Sequence, residues 1–432
     1  MQSIWVENIT KPTFAALNKG LKTDVLIVGG GIAGLLCAKK LDDEGVDYVL
    51  VEANDICGGI TKNTTAKITF QHGLIYQELI DKFGHEIASK YLESQYLALN
   101  EYRELSKGVD CDFEEVDSYV YSTMYKSRIE NEIRALESLH CSCQYVDELP
   151  LPIKAVGAVR VENQAQFHPL KFLYHIAKDL NVYEQTKVIE LTKDGAITDK
   201  GKIKADKIVV ATHFPFIDKY GGYFLKMYQH RSYVIAYENA PKVNGIYVDE
   251  AEQGLSFRNY KDWLLVGGGS HRTGKQGGSY AEIRAFANVN YASAREICSF
   301  ATQDCMTLDG IPYIGKYSPK TPNIFVTTGF NKWGMSSAMV GANLIKDMVI
   351  GNKNDYEEVF DPNRSIMHPQ LFVNLGETLK GLLTPTVPRC PHLGCALKYN
   401  KQEHSWDCAC HGSRFTDSGK LIDNPATKDV EK

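Results

Sequence analysis

Four residues near the C-terminal end combine types and spacing that could hold a metal. They are Cys390 and His392 in Cys-Pro-His-Leu-Gly-Cys, and Cys408 and His411 in Cys-Ala-Cys-His-Gly-Ser, with 15 residues between His392 and Cys408. Two thiolates and two imidazoles satisfy a tetrahedral zinc ion. They equally satisfy a [2Fe–2S] cluster in which two histidines replace two thiolates on one iron. A zinc site has no need of Gly394, Gly412, Ser413 and two further cysteines, Cys395 and Cys410, arranged in step, so the pattern favours iron and sulfur. In that reading Cys390 and Cys408 hold one iron, and His392 and His411 the other. Neutral imidazoles leave such a cluster less negative and place its potential at roughly −150 to +300 mV, high enough to accept electrons from a reduced flavin.

A second constellation lies at the other end of the chain, in Asp24-Val-Leu-Ile-Val-Gly-Gly-Gly-Ile-Ala-Gly34. Gly29, Gly31 and Gly34 have the G-x-G-x-x-G spacing: one makes a turn, one lets a pyrophosphate approach backbone N–H groups, and one packs helix on strand. Alone the spacing is weak. Here it follows the apolar strand Val25–Val28 and opens a helix that buries Ile32, Leu35, Leu36 and Leu41. A second strand, 47–52, then ends in Glu52, 18 positions after Gly34, where a carboxylate can accept from ribose hydroxyls. This is the pattern of a dinucleotide site.

Stepping along the chain, the loop after Glu52 holds Cys57-Gly-Gly-Ile-Thr61-Lys-Asn-Thr64-Thr65-Ala66. In this arrangement the chain resembles the D-amino-acid-oxidase-like family of FAD-dependent oxidoreductases, whose corresponding loop runs along the FAD. The resemblance covers about residues 20–360. It implies that Thr61, Thr64, Thr65 and Ala66 lie by the isoalloxazine or ribityl chain, that Val188 contacts adenine, and that Ala211, at the end of a strand over 207–212, lies near the dinucleotide. It also implies closure of the site by Thr307-Leu-Asp-Gly310-Ile-Pro and by Thr328-Gly329-Phe-Asn-Lys-Trp333-Gly334-Met335. A helix starts at that second turn, and its dipole can stabilise negative charge on a reduced flavin. Some relatives hold FAD through a cysteine here, but Cys305 has the wrong offset from Asp309, so non-covalent FAD is expected. In sarcosine-oxidase-like relatives a lysine shortly before the position of His271 helps to activate dioxygen. Leu265-Val-Gly-Gly-Gly-Ser270 contains none, which argues against an oxidase.

The tail resembles the Rieske family, in Trp406-Asp-Cys408 and His411-Gly-Ser-Arg-Phe415 as well as in the ligands. The respiratory-type members join their two ligand loops by a disulfide, which implies a Cys395–Cys410 pair. Such modules normally have several strands before the first ligand loop. Here little precedes Cys390, so the base is truncated, and the cluster is expected to lean on the flavoprotein body, to be exposed, or to be easily lost.

Helical periodicity is expected over 72–106 and 131–140, and a strand over 116–125. Alternating runs over 221–304 predict an antiparallel sheet, which in the family forms the substrate domain. The expected fold is therefore α/β, with a Rossmann-like FAD domain (1–80, 151–220, 305–360), an inserted antiparallel-sheet substrate domain (81–150, 221–304), a linker (361–383) and a small β-rich Rieske-like module (384–432). Tyr233, Arg258, His271 and Trp333 are the candidates to face substrate, although each is individually more readily explained as structural.

The net charge of −5 over 432 residues gives no electrostatic footprint for nucleic acid. No apolar run is long enough to span a membrane, and no secretory pattern opens the chain, so a cytoplasmic protein is expected. Seven scattered cysteines (Cys37, Cys57, Cys111, Cys141, Cys143, Cys298, Cys305) are expected to be reduced. The function expected is oxidation of a small amine or amino acid at a C–N bond by hydride transfer to FAD, with electrons passed to the [2Fe–2S] cluster and an unknown acceptor. Two rivals remain: an electron-transfer or redox-sensing protein without a small substrate, and a plain oxidase with a vestigial tail.

Overall fold

The computed structural model describes residues 2–217, 219–385 and 388–431. Its first sheet is built on Leu21–Val28, whose last four residues are buried as a strand covered on both faces must be. The main strand order is Tyr313–Lys316, Ile324–Thr328, Lys202–Val210, Leu21–Val28, Tyr48–Val51 and Val182–Tyr183, with a hairpin of Val188–Thr192 and Gly195–Thr198 attached to Lys202–Val210. The pairings are parallel except at Tyr313–Lys316 and that hairpin. The helices Ile32–Asp43 and Gly334–Ile350 pack against each other beside this sheet.

The second sheet runs Arg295–Thr307, Met227–Glu238, Trp263–Arg272, Ser256–Tyr260, Ile246–Asp249, Glu114–Ser122, Gly157–Gln166 and Lys67–Ile68, with Gln144–Val146 also on Gly157–Gln166. It is antiparallel apart from one parallel pair, Ile246–Asp249 with Glu114–Ser122. Gly157–Gln166, expected in the FAD domain, pairs here instead. The strand expected over 116–125 ends at Ser122, whose Oγ accepts from Met124 N and Tyr125 N and starts the turn into helix Lys126–Ser138. The long helix begins at Ile75 and breaks at Gly84, where φ is 84°.

The third sheet is a small antiparallel meander, Leu397–Asn400, Ser405–Cys408, Arg414–Thr416 and Leu421–Asp423. Most of the expected linker before it is a helix, Pro369–Leu383.

Candidate active site and metal centre

At the glycine turn, Gly29 has φ 110°, and a Cβ there would lie 2.6 Å from Ala211 O. A Cβ on Gly34 would lie 1.9 Å from Gly29 O, so the helix start packs directly on the loop. Gly31 instead faces a cleft, with only Thr61 Oγ1 nearby. Glu52 braces the turn: its carboxylate accepts from Gly30 N at 2.7 Å and Asn54 N at 2.9 Å, while burial pushes its pKa up. Thr61 Oγ1 accepts from Ile32 N at 3.1 Å, tying the Thr-rich loop to the first helix. Thr64 Oγ1 accepts from Ala66 N, and Ala66 has φ 52°.

These pieces border one cleft of about 1310 Å³, larger than an ordinary small-molecule pocket. Gly29, Gly31, Glu52, Thr61, Thr64, Thr65, Val188, Ala211, Gly329, Trp333, Gly334 and Met335 all line it. Gly34, Ala66 and Gly310 support it from behind. Gly310 has φ 81°, and its carbonyl accepts from Asn331 Nδ2 at 3.0 Å. A glycine cradle, an open helix start and an elongated cleft together fit a dinucleotide as long as FAD.

The sheet wall of the cleft carries polar groups that alternation alone did not select. Ser232 and Ser270 lie 3.2 Å apart, and Lys332 Nζ donates to Ser270 Oγ. Asp304 and Glu252 line the same wall. Burial pushes the Asp304 carboxyl up to about 6, against the pull of Lys332 and Arg231. Burial lowers Lys332, opposed by Asp304 and Glu252. Lys67, also on the cleft, is pulled down to about 7 by burial and by the Arg258 guanidinium. Among the described residues lining the cleft there is no arginine.

Two expected substrate-facing residues are placed elsewhere. Arg258 is buried behind the Thr-rich loop, donating to Thr65 O at 2.6 Å and Ala66 O at 2.8 Å. His271 does not line the cleft. Its Nδ1 donates to Arg272 O, leaving Nε2 to accept from the Tyr233 hydroxyl at 3.1 Å. Tyr233 borders the cleft, but its hydroxyl lies 3.5 Å from Glu403, in the turn between the strands Leu397–Asn400 and Ser405–Cys408. Trp333 lines the cleft and stacks on His72 at 4.9 Å. No lysine lies in the segment just before His271, but Lys332 of the closing turn reaches Ser270 of that segment from outside it.

In the C-terminal module the two ligand loops repeat one turn. Gly394 N donates to Cys390 O and Gly412 N to Cys408 O, both at 2.9 Å. Cys390, Cys408 and His411 are buried, and the rings of His392 and His411 are 5.0 Å apart and perpendicular. His411 Nδ1 is buried with no hydrogen-bond partner, and burial lowers its pKa to about 3, so the ring is neutral. Hydrogen bonding to Cys408 pulls the Cys390 thiol down. An orphaned neutral imidazole nitrogen beside an acidified thiol fits a metal-ligand set. The sulfurs of Cys395, Cys408 and Cys410 also cluster, but Cys395 and Cys410 are paired as a disulfide, with Cα atoms 6.8 Å apart. That leaves Cys408 with Cys390 as the free thiols at this centre.

The truncated base is replaced by the second sheet. Gln229 Nε2 donates to His411 O (2.7 Å) and Asn424 O (2.9 Å), and Gln303 Nε2 to Gly412 O (2.9 Å). Arg272 donates to Ala409 O and Cys410 O, both at 2.9 Å, and Arg231 pairs with Glu403. The segment 421–429 of the module forms part of the cleft wall.

Residues 24–348 match the family described as FAD dependent oxidoreductase, and residues 348–432 match the Rieske [2Fe-2S] domain. The Bacillus subtilis (strain 168) protein YhfW, which carries the name of a Rieske 2Fe-2S iron-sulfur protein, is 32% identical across 100% of this chain and 97% of its own length. Glycine oxidase from Geobacillus kaustophilus superposes with a TM-score of 0.66 at 18% identity, covering 80% of this chain and 99% of its own. L-proline dehydrogenase from P. horikoshii gives 0.67 at 15%, covering 80% and 98%. This chain belongs to the FAD-dependent oxidoreductase family and ends in a Rieske [2Fe–2S] domain.

Proposed function

We propose that this protein oxidises a small amino acid or amine at its C–N bond and relays the electrons within one chain. FAD, held by Gly29–Gly34, Glu52, Thr61–Ala66 and the turn at Gly329–Met335, would supply two-electron oxidation. A [2Fe–2S] cluster on Cys390, Cys408, His392 and His411 would supply one-electron relay. The observation that carries the reading is the polar group Lys332, Ser270 and Asp304 in the cleft that the glycine loop borders.

Lys332 is positioned to hold a substrate carboxylate, a task for which no arginine lines the cleft among the described residues, with Ser270 fixing its ammonium group. Asp304 and Glu252 supply the opposite charge for a substrate ammonium. Lys67, ionised only in part at neutral pH, can take the proton that an ammonium must lose before its carbon becomes a hydride donor. Trp333, stacked on His72, closes the wall and excludes water. The seven scattered free thiols suit a reducing cytoplasmic setting.

Anaerobic mixing with a panel of amino acids and amines tests this. Bleaching of the flavin by some of the panel, with Lys332→Met raising KM for amino acids more than for amines, is expected. Reduction by none of them, but by a reductase protein, would instead favour an electron-transfer role. Peroxide formation at full rate after Cys390→Ser would favour an oxidase, a reading that Lys332 beside Ser270 keeps in play.

A further inference from the structure

The helix Pro369–Leu383 is amphipathic in the inverted sense. Its polar residues face the protein: Asn374 Oδ1 accepts from Arg272 Nη1 at 2.8 Å, Glu377 pairs with Lys275, and Gly381 O accepts from Ala396 N at 2.9 Å. Apart from the buried Leu371, its apolar residues face outward at helical spacing, with Phe372 63%, Leu379 59% and Leu383 80% exposed, together with Leu375 and Leu382. Met367, 71% exposed, and Leu393 of the first ligand loop extend the patch at its ends. Gly381 is pressed on the disulfide, where a Cβ would lie 2.6 Å from Cys410 Sγ. The apolar face therefore adjoins the metal centre.

Charge identifies the occupant. From Ile366 to Tyr399 the one acidic residue is Glu377, and it is spent on Lys275; Lys380, Arg389 and Lys398 are basic, in a chain of net charge −5. Lys380 is exposed at the rim of the patch. A second copy meeting this face across a two-fold axis would set that cationic rim against itself, with no acidic group on the patch to pair it. An apolar helical face with a cationic rim suits the headgroup–acyl boundary of an anionic bilayer. No helix among the described residues is long and apolar enough to cross one.

We propose that the Pro369–Leu383 helix docks the protein flat on an anionic lipid surface, bringing the metal centre to the membrane interface. The full-length holoprotein is mixed with phosphatidylcholine vesicles with and without phosphatidylglycerol, and sedimented. Wild type should pellet with the anionic vesicles, and the helix amides should gain protection from hydrogen exchange when vesicles are added. Phe372→Glu with Leu379→Glu should lower the bound fraction at least about tenfold with unchanged flavin and cluster spectra, whereas Lys380→Glu should weaken binding only to the anionic vesicles. The proposal is overturned if wild type stays in the supernatant with every composition. It is equally overturned if vesicles leave the helix amides unprotected, or if light scattering finds a dimer that the double substitution dissolves.

Discussion

Replacing Gln303 with leucine should undock the C-terminal domain. The Gln303 amide is wholly buried at the seam between the second sheet and the second ligand loop. Its Nε2 donates to Gly412 O at 2.9 Å and to Gln229 Oε1 at 2.7 Å, and its Oε1 accepts from Thr273 Oγ1 at 3.1 Å. Leucine fills nearly the same space but strands two acceptors and a hydroxyl. Each stranded group costs about 1–3 kcal/mol, and the hydroxyl can rotate to lessen its share. The two stranded acceptors alone therefore cost roughly 2–6 kcal/mol, a shift of roughly 30- to 20,000-fold in the docking equilibrium. Hydrogen exchange across Ser405–Cys408 and Arg414–Thr416, and the anaerobic rate at which flavin electrons reach the cluster, read that shift. Because the two amides bond each other, Gln229→Leu with Gln303→Leu should cost less than the sum of the single changes. Wild-type protection and an unchanged rate in Gln303→Leu would refute the view that these amides hold the domain in place.

Gly34→Ala should give protein with almost no bound flavin, because the added Cβ would meet Gly29 O at 1.9 Å; flavin absorbance per chain checks this. Arg258→Met should lower FAD affinity about tenfold or more through loss of two charge-assisted bonds to Thr65 and Ala66 carbonyls, whereas a rise in substrate KM with FAD affinity intact would assign Arg258 to the substrate instead. Asp304 has its carboxyl raised from 3.8 to about 6, so the fold binds a proton the unfolded chain has lost. The penalty is absent below about pH 4 and complete above about pH 6, with an upper bound of about 3 kcal/mol because water reaches the cleft. Asp304→Asn should therefore raise the melting temperature of the flavin-free protein at pH 8 and leave it nearly unchanged at pH 4.

The parts of the site that were legible in sequence are those made by short local segments. Gly29–Gly34 and Glu52 act through neighbouring backbone, and the Cys390–Cys395 and Cys408–Ser413 loops carry their ligands within a few residues of each other. Of the four residues expected to face substrate, Tyr233 and Trp333 line the cleft whereas Arg258 and His271 do not, because that placement depends on which face of a strand a residue takes. Between Arg231 and Tyr233 the pairing of Met227–Glu238 with Trp263–Arg272 shifts register. A one-residue shift exchanges the two faces. Ser232 and Ser270 take the cleft, while His271 turns to Arg272 O and the Tyr233 hydroxyl, and that hydroxyl lies beside Glu403. Lys332 was hidden differently, since it reaches Ser270 from 62 positions away in sequence. The helix 369–383 falls in the expected linker because most of its apolar positions, Leu371 excepted, do not point into the protein.

The same register explains why one sheet can serve two centres. Along Arg295–Thr307, Thr302 and Asp304 line the cleft, while Gln303 between them donates to Gly412 O beside His411. Along Met227–Glu238, Ser232 takes the cleft while Gln229 and Arg231 hold the Rieske domain. Successive residues of a strand point to opposite faces, so the flavin cleft and the ligand loops are separated by no more than this sheet and its side chains. A free-standing Rieske domain would need its own strands beneath the ligand loops. Here the substrate sheet is that base, so the shortened module and the closeness of the two centres have one cause. Lengthening the module by adding strands under Cys390 would make it independent of the flavoprotein, and would move it away from the cleft.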